Sequence, residues 1–251
     1  MAENTFPLGP GSRNASGGGR GAVLAIDAKT IHVSYEEADS YWIDTCGAEV
    51  PPPEPWTNVR PRAERITGEP SRSTYPFLDT VRNFCQVPED VVFRLPRDRE
   101  RADAPPQGWF TLYEAQMMRS RLLFPIPPIV VEVINCFDVL ISQISPSGLK
   151  HLIGLLTLSF KRGVNLSTDH VEAFLGLRRT SVDCLYVFKP RSYMEIVRGL
   201  PNDGPRRREC FFFIRLNGAS VADECLPIFK CSWEGVGKDV GYLYYPIFIR
   251  S

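Results

Sequence analysis

The segment SPSGLKHLIGLLTLSFK, residues 145–161, contains the strongest helix signals in this chain of 251 residues. Ser145 followed by Pro146 is typical of a helix N-terminus, because the serine side chain can cap free backbone N–H groups and proline suits the first helical position. Apolar side chains surround the helix axis as far as Phe160. We therefore expect a helix that is buried on nearly all sides and lies at the centre of the fold.

A second helix is predicted directly after the first. Lys161 suits a helix C-terminus, and Gly163 can adopt the left-handed conformation that closes a helix. Ser167 then repeats the capping signal before an apolar-periodic segment that runs to about Leu177. Residues 145–179 are accordingly predicted to form a helix-turn-helix.

Two further helices are predicted upstream of this pair. Phe110, Tyr113 and Met117 have helical i, i+3, i+7 spacing in a run without glycine or proline. Pro128 can open another helix, which would extend to about Leu140, although the β-branched content of this segment also allows a strand. The sequence thus predicts about four helices before residue 180.

The pattern changes beyond Asp183. Short aromatic or β-branched runs at residues 184–188, 210–216 and 228–233 are separated by Pro, Gly, Asn and Asp, which is typical of strands and turns. Helices followed by strands favour an α+β fold over a parallel βαβ arrangement. The predicted architecture is an N-terminal helical bundle of about four helices followed by a small antiparallel sheet.

Composition divides the chain near residue 104. Residues 1–108 hold 13 of the 22 prolines and a net charge of −4 (12 basic against 16 acidic), whereas residues 109–251 have a net charge of +4 (17 against 13). Such proline and charge density favours extended, solvated chain. We expect residues 1–104 to be a proline/glycine-rich, mostly disordered region and residues 105–251 to be the folded domain. Apolar patches such as residues 77–93 would form isolated helices or dock onto that domain.

The sequence gives no sign of a membrane span or of secretion. The cleanest apolar run, residues 152–160, is nine residues long and too short to cross a bilayer. The N-terminus lacks the charged and then apolar pattern of a secretory signal. Seven scattered cysteines without C-x-x-C spacing favour reduced thiols. We expect an intracellular protein, nuclear or cytoplasmic, that is neither secreted nor membrane-bound.

The residue patterns that catalysis requires are sparse in this chain. The histidines are His32, His151 and His170, and neither a G-x-S-x-G motif nor a G-x-x-x-x-G-K-[ST] motif is present. Cys225 and Cys231 are six residues apart without a second pair, unlike the ligands of a zinc site. The sequence therefore predicts no catalytic residues, no cofactor, no metal site and no small-molecule substrate.

Basic residues suggest a nucleic-acid contact instead. Arg178 and Arg179 flank the predicted helix-turn-helix, and Arg206, Arg207 and Arg208 precede an aromatic run. Cations beside aromatic rings can hold phosphates and stack bases. The net charge of +4 over residues 109–251 is modest, however, which places nucleic-acid binding second among the functions considered.

An ordered series of motifs carries a family resemblance from residue 105 to about residue 233. The series is GWFTLYEA at 108–115, LFPIPP at 123–128, QISPSGL at 143–149, HLIGL at 151–155, GVNLS at 163–167, RGLP at 198–201 and FFFI at 211–214. In these motifs the chain resembles the gypsy-type transposon domain of plant transposable-element proteins.

The resemblance implies a gag-region-like segment without an enzymatic activity, and it transfers no functional residues. The chain lacks the zinc knuckle, the protease motif and the reverse-transcriptase motif of a complete element, so a truncated or domesticated remnant is expected. The resulting hypothesis is a non-enzymatic structural or protein-interaction module, which acts on a protein partner or by self-association. The alternative is a DNA- or RNA-binding module that uses the helix-turn-helix and the Arg206 to Arg208 turn.

Overall fold

The computed structural model describes residues 70–180, 185–192 and 209–233, together with the isolated positions Ser40, Ile43, Asp44, Met194 and Val197. The disorder predicted for residues 1–69 lies outside the described residues at nearly every position. The predicted basic turn of Arg206, Arg207 and Arg208 also lies outside them.

The described chain is an α+β fold, as the sequence predicts. Its helices are α1 (Tyr75–Phe84), α2 (Glu114–Ser120), α3 (Pro128–Cys136), α4 (Pro146–Lys161) and α5 (Thr168–Phe174). Its strands are β1 (Phe93–Arg94), β2 (Trp109–Tyr113), β3 (Leu175–Arg179), β4 (Tyr186–Pro190) and β5 (Phe211–Arg215). Two 3-10 turns complete the elements, at Ile141–Gln143 and Asp223–Ile228.

Helix α4 is the central helix that the sequence predicts. The Ser145 hydroxyl accepts a hydrogen bond from the Gly148 N–H at 3.0 Å, and Pro146 occupies the first turn. A side chain at Gly148 would come within 2.8 Å of the Phe188 nitrogen, so glycine lets α4 approach strand β4 closely. Phe160 departs from the prediction, because its side chain is half exposed at the end of the helix.

Two antiparallel sheets form the β part of the fold. Strand β5 lies between β1 and β2, with Phe93 opposite Ile214 and Thr111 opposite Phe213, and β3 pairs with β4. The predicted order of a helical bundle followed by a sheet is wrong, because β1 and β2 precede helices α2 to α5 in the chain. Pairing of β5 with these early strands brings both ends of the described chain into one sheet.

The predicted domain boundary at residue 104 divides this sheet and has to be moved. Leu78, Val81 and Phe84 of α1 are buried, and the N–H of Arg72 donates to the carbonyl of Glu209 at 2.7 Å. Burial of apolar surface and satisfied backbone groups hold this segment in the fold. Residues 77–93 therefore dock onto the rest, which is one of the two outcomes expected for them, and the fold includes residues from Ser71 onward.

The predicted helix through Phe110 and Tyr113 is a strand followed by a short helix. Residues 110–113 belong to β2, and α2 begins at Glu114. Both faces of β2 are buried, so the strand lacks the alternating pattern that would have marked it. Buried residues on both faces happen to satisfy helical spacing as well.

Three other element boundaries differ from the prediction. Helix α3 ends at Cys136 rather than at Leu140, since Asp138 adopts a left-handed backbone conformation with φ of 49°. Helix α5 ends at Phe174, and the chain continues into β3, which pairs with β4. Residues 228–233 are not a strand, because Ile228 closes a 3-10 turn and the following residues are irregular.

Candidate functional site

A cleft of about 510 Å³ lies where a charged turn meets the aromatic end of the three-stranded sheet. The turn supplies residues 98–103, the sheet supplies Tyr113 and Phe211, and Pro70 and Trp233 complete the lining. Tyr113, Phe211 and Phe213 form a buried apolar cluster against which Ala102 and Trp109 pack. We call this site the turn–sheet cleft.

Arg94 fastens the turn to the sheet. Its guanidinium donates to both carboxylate oxygens of Glu100, at 2.9 and 3.0 Å, and lies 5.1 Å from the ring centres of both Trp109 and Phe213. The carboxylate of Glu100 also accepts from the Arg97 N–H at 2.6 Å. The hydrogen bond from Arg94 is the main cause that lowers the pKa of Glu100 below its usual value. The cation is thus held between two rings and a carboxylate, which fixes the position of the turn.

A second ion pair and Trp233 hold the C-terminal part of the turn. Arg101 donates to both carboxylate oxygens of Asp103 at 2.8 and 2.5 Å, which lowers the pKa of Asp103. The Trp233 N–H donates to the carbonyl of Asp103 at 3.0 Å, and its indole N–H donates to the Ser142 hydroxyl at 3.0 Å. Trp233 therefore ties the turn to the 3-10 turn beside β2.

The charges on the rim of the cleft alternate in sign. Asp98 and Arg99 are adjacent, their side chains are 82% and 93% exposed, and their charged atoms are 3.8 Å apart. Arg99 has a positive φ of 66°, an uncommon conformation for a side-chain-bearing residue. Glu100 is paired with Arg94 of β1 and Asp103 is paired with Arg101, so the most exposed charges of the rim are those of Asp98 and Arg99. A rim of both signs over an apolar floor suits contact with another protein surface better than contact with a polyanion.

The basic residues predicted for nucleic-acid contact are only partly located. Arg178 and Arg179 lie exposed on β3, and the Arg206 to Arg208 turn lies outside the described residues. The structure brings Arg178 together with Lys189, which the sequence prediction missed. Gly176 lies opposite Lys189 and Arg178 lies opposite Val187, so the two cations are diagonal neighbours on one face of the β3–β4 ribbon. Only the register of the two strands could have revealed this pair.

The predicted helix-turn-helix exists as α4 and α5, but α5 presents carboxylates. Helix α5 has seven residues, Asp169 is exposed on it, and Glu172 lies 3.8 Å from the Cys136 sulfur. A recognition helix enters a groove bordered by phosphates, where carboxylates are repelled. The α4–α5 pair is therefore poorly suited to groove binding.

The two described histidines have structural surroundings. His151 is buried within α4. The ring Nδ1 of His170 lies 2.9 Å from the Ser167 hydroxyl and accepts from the Ser167 N–H at 3.1 Å, at the start of α5. His151 is therefore part of the helix packing, and His170 is part of the cap of α5.

Cys136 and Cys231 are poor nucleophiles. Desolvation, followed by the nearby carboxylate of Glu172, raises the pKa of Cys136, and burial raises the pKa of Cys231 to about 11. Both side chains stay protonated at neutral pH, and the thiol is much less reactive than the thiolate. Within the residues that the structure describes, no group of three His, Cys, Asp or Glu side chains is arranged to hold a metal ion.

None of the described helices combines the length and the apolar character that a membrane crossing requires.

Two curated proteins of Arabidopsis thaliana are similar to part of this chain. The chain is 34% identical over 156 residues to an uncharacterised chloroplastic protein, and 23% identical over 154 residues to the meiosis-specific protein ASY2. Each similarity covers 61% of the chain, which spans only 19% and 11% of the lengths of these relatives. No protein-family model and no solved structure matches the chain. The resemblance to the gypsy-type transposon domain stays a prediction.

Proposed function

We propose that the protein is a non-enzymatic, transposable-element-derived module that acts through protein contacts, with the turn–sheet cleft as its contact surface. The observation that carries this proposal is the rim of the cleft, where exposed charges of opposite sign border the aromatic side chains of Tyr113, Phe211 and Trp233. Protein interfaces combine an apolar centre with a polar rim in this way. The proposal includes an intracellular location. The candidate compartments are the nucleus, the cytoplasm and, because one relative is described as chloroplastic, the chloroplast.

A second copy of the chain is the partner that the charge pattern favours. In a twofold-symmetric contact the same patch occurs on both sides, so residue i of one copy meets residue j of the other, and the reverse. Asp98 of one copy would then lie against Arg99 of its partner, twice per interface. A patch with one sign of charge would repel its own copy, whereas this rim is self-complementary.

The similarity to the two Arabidopsis proteins supports a modular role. The shared segment is about three fifths of this chain and a small part of each relative. A segment that occurs in much longer proteins is expected to fold and act as a unit within them. The surroundings of His151, His170, Cys136 and Cys231 support a role other than nucleophilic catalysis.

A charge-swap experiment tests self-association through the cleft. Asp98→Arg and Arg99→Asp each place like charges opposite each other in a symmetric contact, so each variant alone should remain monomeric. Aspartate is tolerated better than most residues at the positive φ of position 99, so the second variant should fold normally. Mixing the two variants restores attraction at both pairs, and the mixture should form dimers.

Light scattering and sedimentation of the full chain at rising concentration measure the outcome. The wild type and the mixture should dimerise, and the single variants should not. Lys189→Asp, a charge reversal on the β3–β4 ribbon outside the cleft, is the control and should dimerise like the wild type. A wild type that stays monomeric throughout, or single variants that dimerise as well as it does, would reject the cleft as a self-association surface.

A further inference from the structure

The outward face of the β3–β4 ribbon is a cationic surface that the proposed function does not use. Arg178 and Lys189 are exposed on this face, and the space above Gly176 is open, with no atom within 4 Å of where a side chain would begin. Leu177 and Phe188, directly opposite each other, are buried on the other face and anchor the ribbon to the core. Strand alternation therefore sends the cations outward and the apolar side chains inward.

The charged residues of the two strands are all basic. Residues 174–180 and 185–191, as far as the structure describes them, contain Arg178, Arg179, Lys189 and Arg191 and no carboxylate. Arg191 is partly engaged, because its Nε donates to the Glu172 carbonyl at 2.6 Å. The carboxylates of Asp169 and Glu172 on α5, and of Asp183 in the sequence between the two strands, reduce the net charge of residues 168–191 to +1. The ribbon is therefore expected to attract polyanions only weakly.

We propose that this ribbon binds the phosphate backbone of double-stranded DNA. The major groove of B-form DNA admits a two-stranded β-ribbon, and the groove is bordered by the phosphates that Arg178 and Lys189 would contact. The diagonal arrangement separates the two side chains by about 7 Å at their base, so they can reach different phosphates. Because Gly176, directly opposite Lys189, has no side chain and open space above it, the ribbon can approach the duplex closely. This proposal is independent of the proposed function, because it concerns the ribbon and not the cleft.

Salt dependence gives the proposal a measurable size. Two phosphate contacts, from Arg178 and Lys189, correspond to a log–log slope of about −1.8. Affinity should then fall about 12-fold when salt rises fourfold, from about 50 to about 200 mM. Binding of this kind is weak at physiological salt and shows little preference for sequence, because phosphate contacts position a protein without reading bases.

The test measures fluorescence anisotropy of a labelled mixed-sequence DNA duplex with the full chain over this salt range. Arg178→Gln combined with Lys189→Gln should lower the slope by about two units and weaken binding at the lower salt at least tenfold. Arg162→Gln is the matched control, since Arg162 is exposed at the opposite end of α4 from the α4–β4 contact. It should leave the slope unchanged, and all variants should keep the circular dichroism spectrum and melting temperature of the wild type.

Three outcomes would overturn the proposal. The first is a double variant that binds the duplex like the wild type. The cations would then serve only to prevent the edge strands from pairing with another chain. The second is an equal loss in Arg162→Gln. The third is tighter binding of an acidic peptide or of an RNA duplex than of DNA, because the A-form major groove is too narrow for the ribbon. Loss of DNA binding in the double variant, with binding unchanged in Arg162→Gln, would support the proposal.

Discussion

Helix α4 and the three-stranded sheet are stabilised in different ways. Helix α4 buries a nearly continuous run of apolar side chains within sixteen consecutive residues, and its cap lies one residue before it. The sheet joins strands far apart in the chain, with Arg94 opposite Phe213, and an ion pair between Arg94 and Glu100 covers one of its faces. The difference shows that the helix depends on local sequence and burial, whereas the sheet depends on contacts that form only when distant segments meet.

The largest expected effect is on the sheet side of this comparison. Phe213 is fully buried, stacks under Arg94 and packs with Phe211, so Phe213→Ala should lower the free energy of unfolding by about 3–5 kcal/mol. Phe160→Ala is the matched control, because its side chain is half exposed, and should cost about 1 kcal/mol or less. Urea unfolding measures both. Equal losses in the two variants would show that the aromatic cluster of the sheet is not a core.

A comparable or slightly smaller effect is expected in the central helix. Leu152 and Leu156 are buried in α4, and replacing either with alanine should cost about 2–5 kcal/mol, the range for a large-to-small change in a packed core. Chemical denaturation again provides the measurement. Losses below about 0.5 kcal/mol at both positions, as expected of surface sites, would remove α4 from the centre of the fold.

A smaller effect tests whether the segment before α1 belongs to the sheet. The buried Ser71 hydroxyl donates to the Phe211 carbonyl at 2.6 Å and accepts from the Phe211 N–H at 3.0 Å. Ser71→Ala leaves both groups without this partner and should cost about 1–3 kcal/mol. Thr80→Ala removes an exposed hydroxyl that bonds only within α1 and should cost under about 0.5 kcal/mol. A thermal melt in which the two variants coincide would contradict the docking of residues 71–73.

The smallest expected effect is the loss of folding stability at low pH that arises in the turn covering the sheet. The pKa of Glu100 is lowered in the folded protein, mainly by the hydrogen bond from Arg94. Its contribution to stability is therefore complete above its ordinary pKa of 4.5 and is lost as the pH falls below that value through the folded pKa. Unfolding measured from neutral pH downward should show a steeper loss of stability in the wild type than in Glu100→Gln. Parallel profiles would indicate that Arg94 does not hold the carboxylate.

Local signals explain which parts of the fold the sequence could predict. Ser145, Pro146 and the capping Ser167 act on groups within three residues of themselves, so both α4 and the start of α5 were predictable. Gly163 takes the expected positive φ of 60°. Strand β1 has only two residues and forms because β5 lies beside it, which no local pattern records.

The candidate site was beyond sequence reasoning for the same reason. The cleft depends on Arg94 reaching Trp109 and Phe213 at once, and the cationic ribbon depends on the register that sets Lys189 beside Arg178. Charged turns and arginine pairs are visible in the sequence, but their neighbours across a sheet are not. Of the predicted arginines that the structure describes, Arg178 lies on that face and Arg179 on the opposite one.

Hydrogen exchange of the full chain, followed by mass spectrometry, tests the central claim that α1, the three-stranded sheet and α4 form one cooperative unit. Amides of the hydrogen-bonded part of α1, of Phe213 in β5 and of Leu152 in α4 should open with the same free energy, equal to that of global unfolding. Destabilising the sheet with Phe213→Ala should then lower the protection of α4 by the same amount. Rapid exchange throughout α1 and the sheet, with α4 still fully protected, would contradict the claim and restore a domain that begins near residue 105.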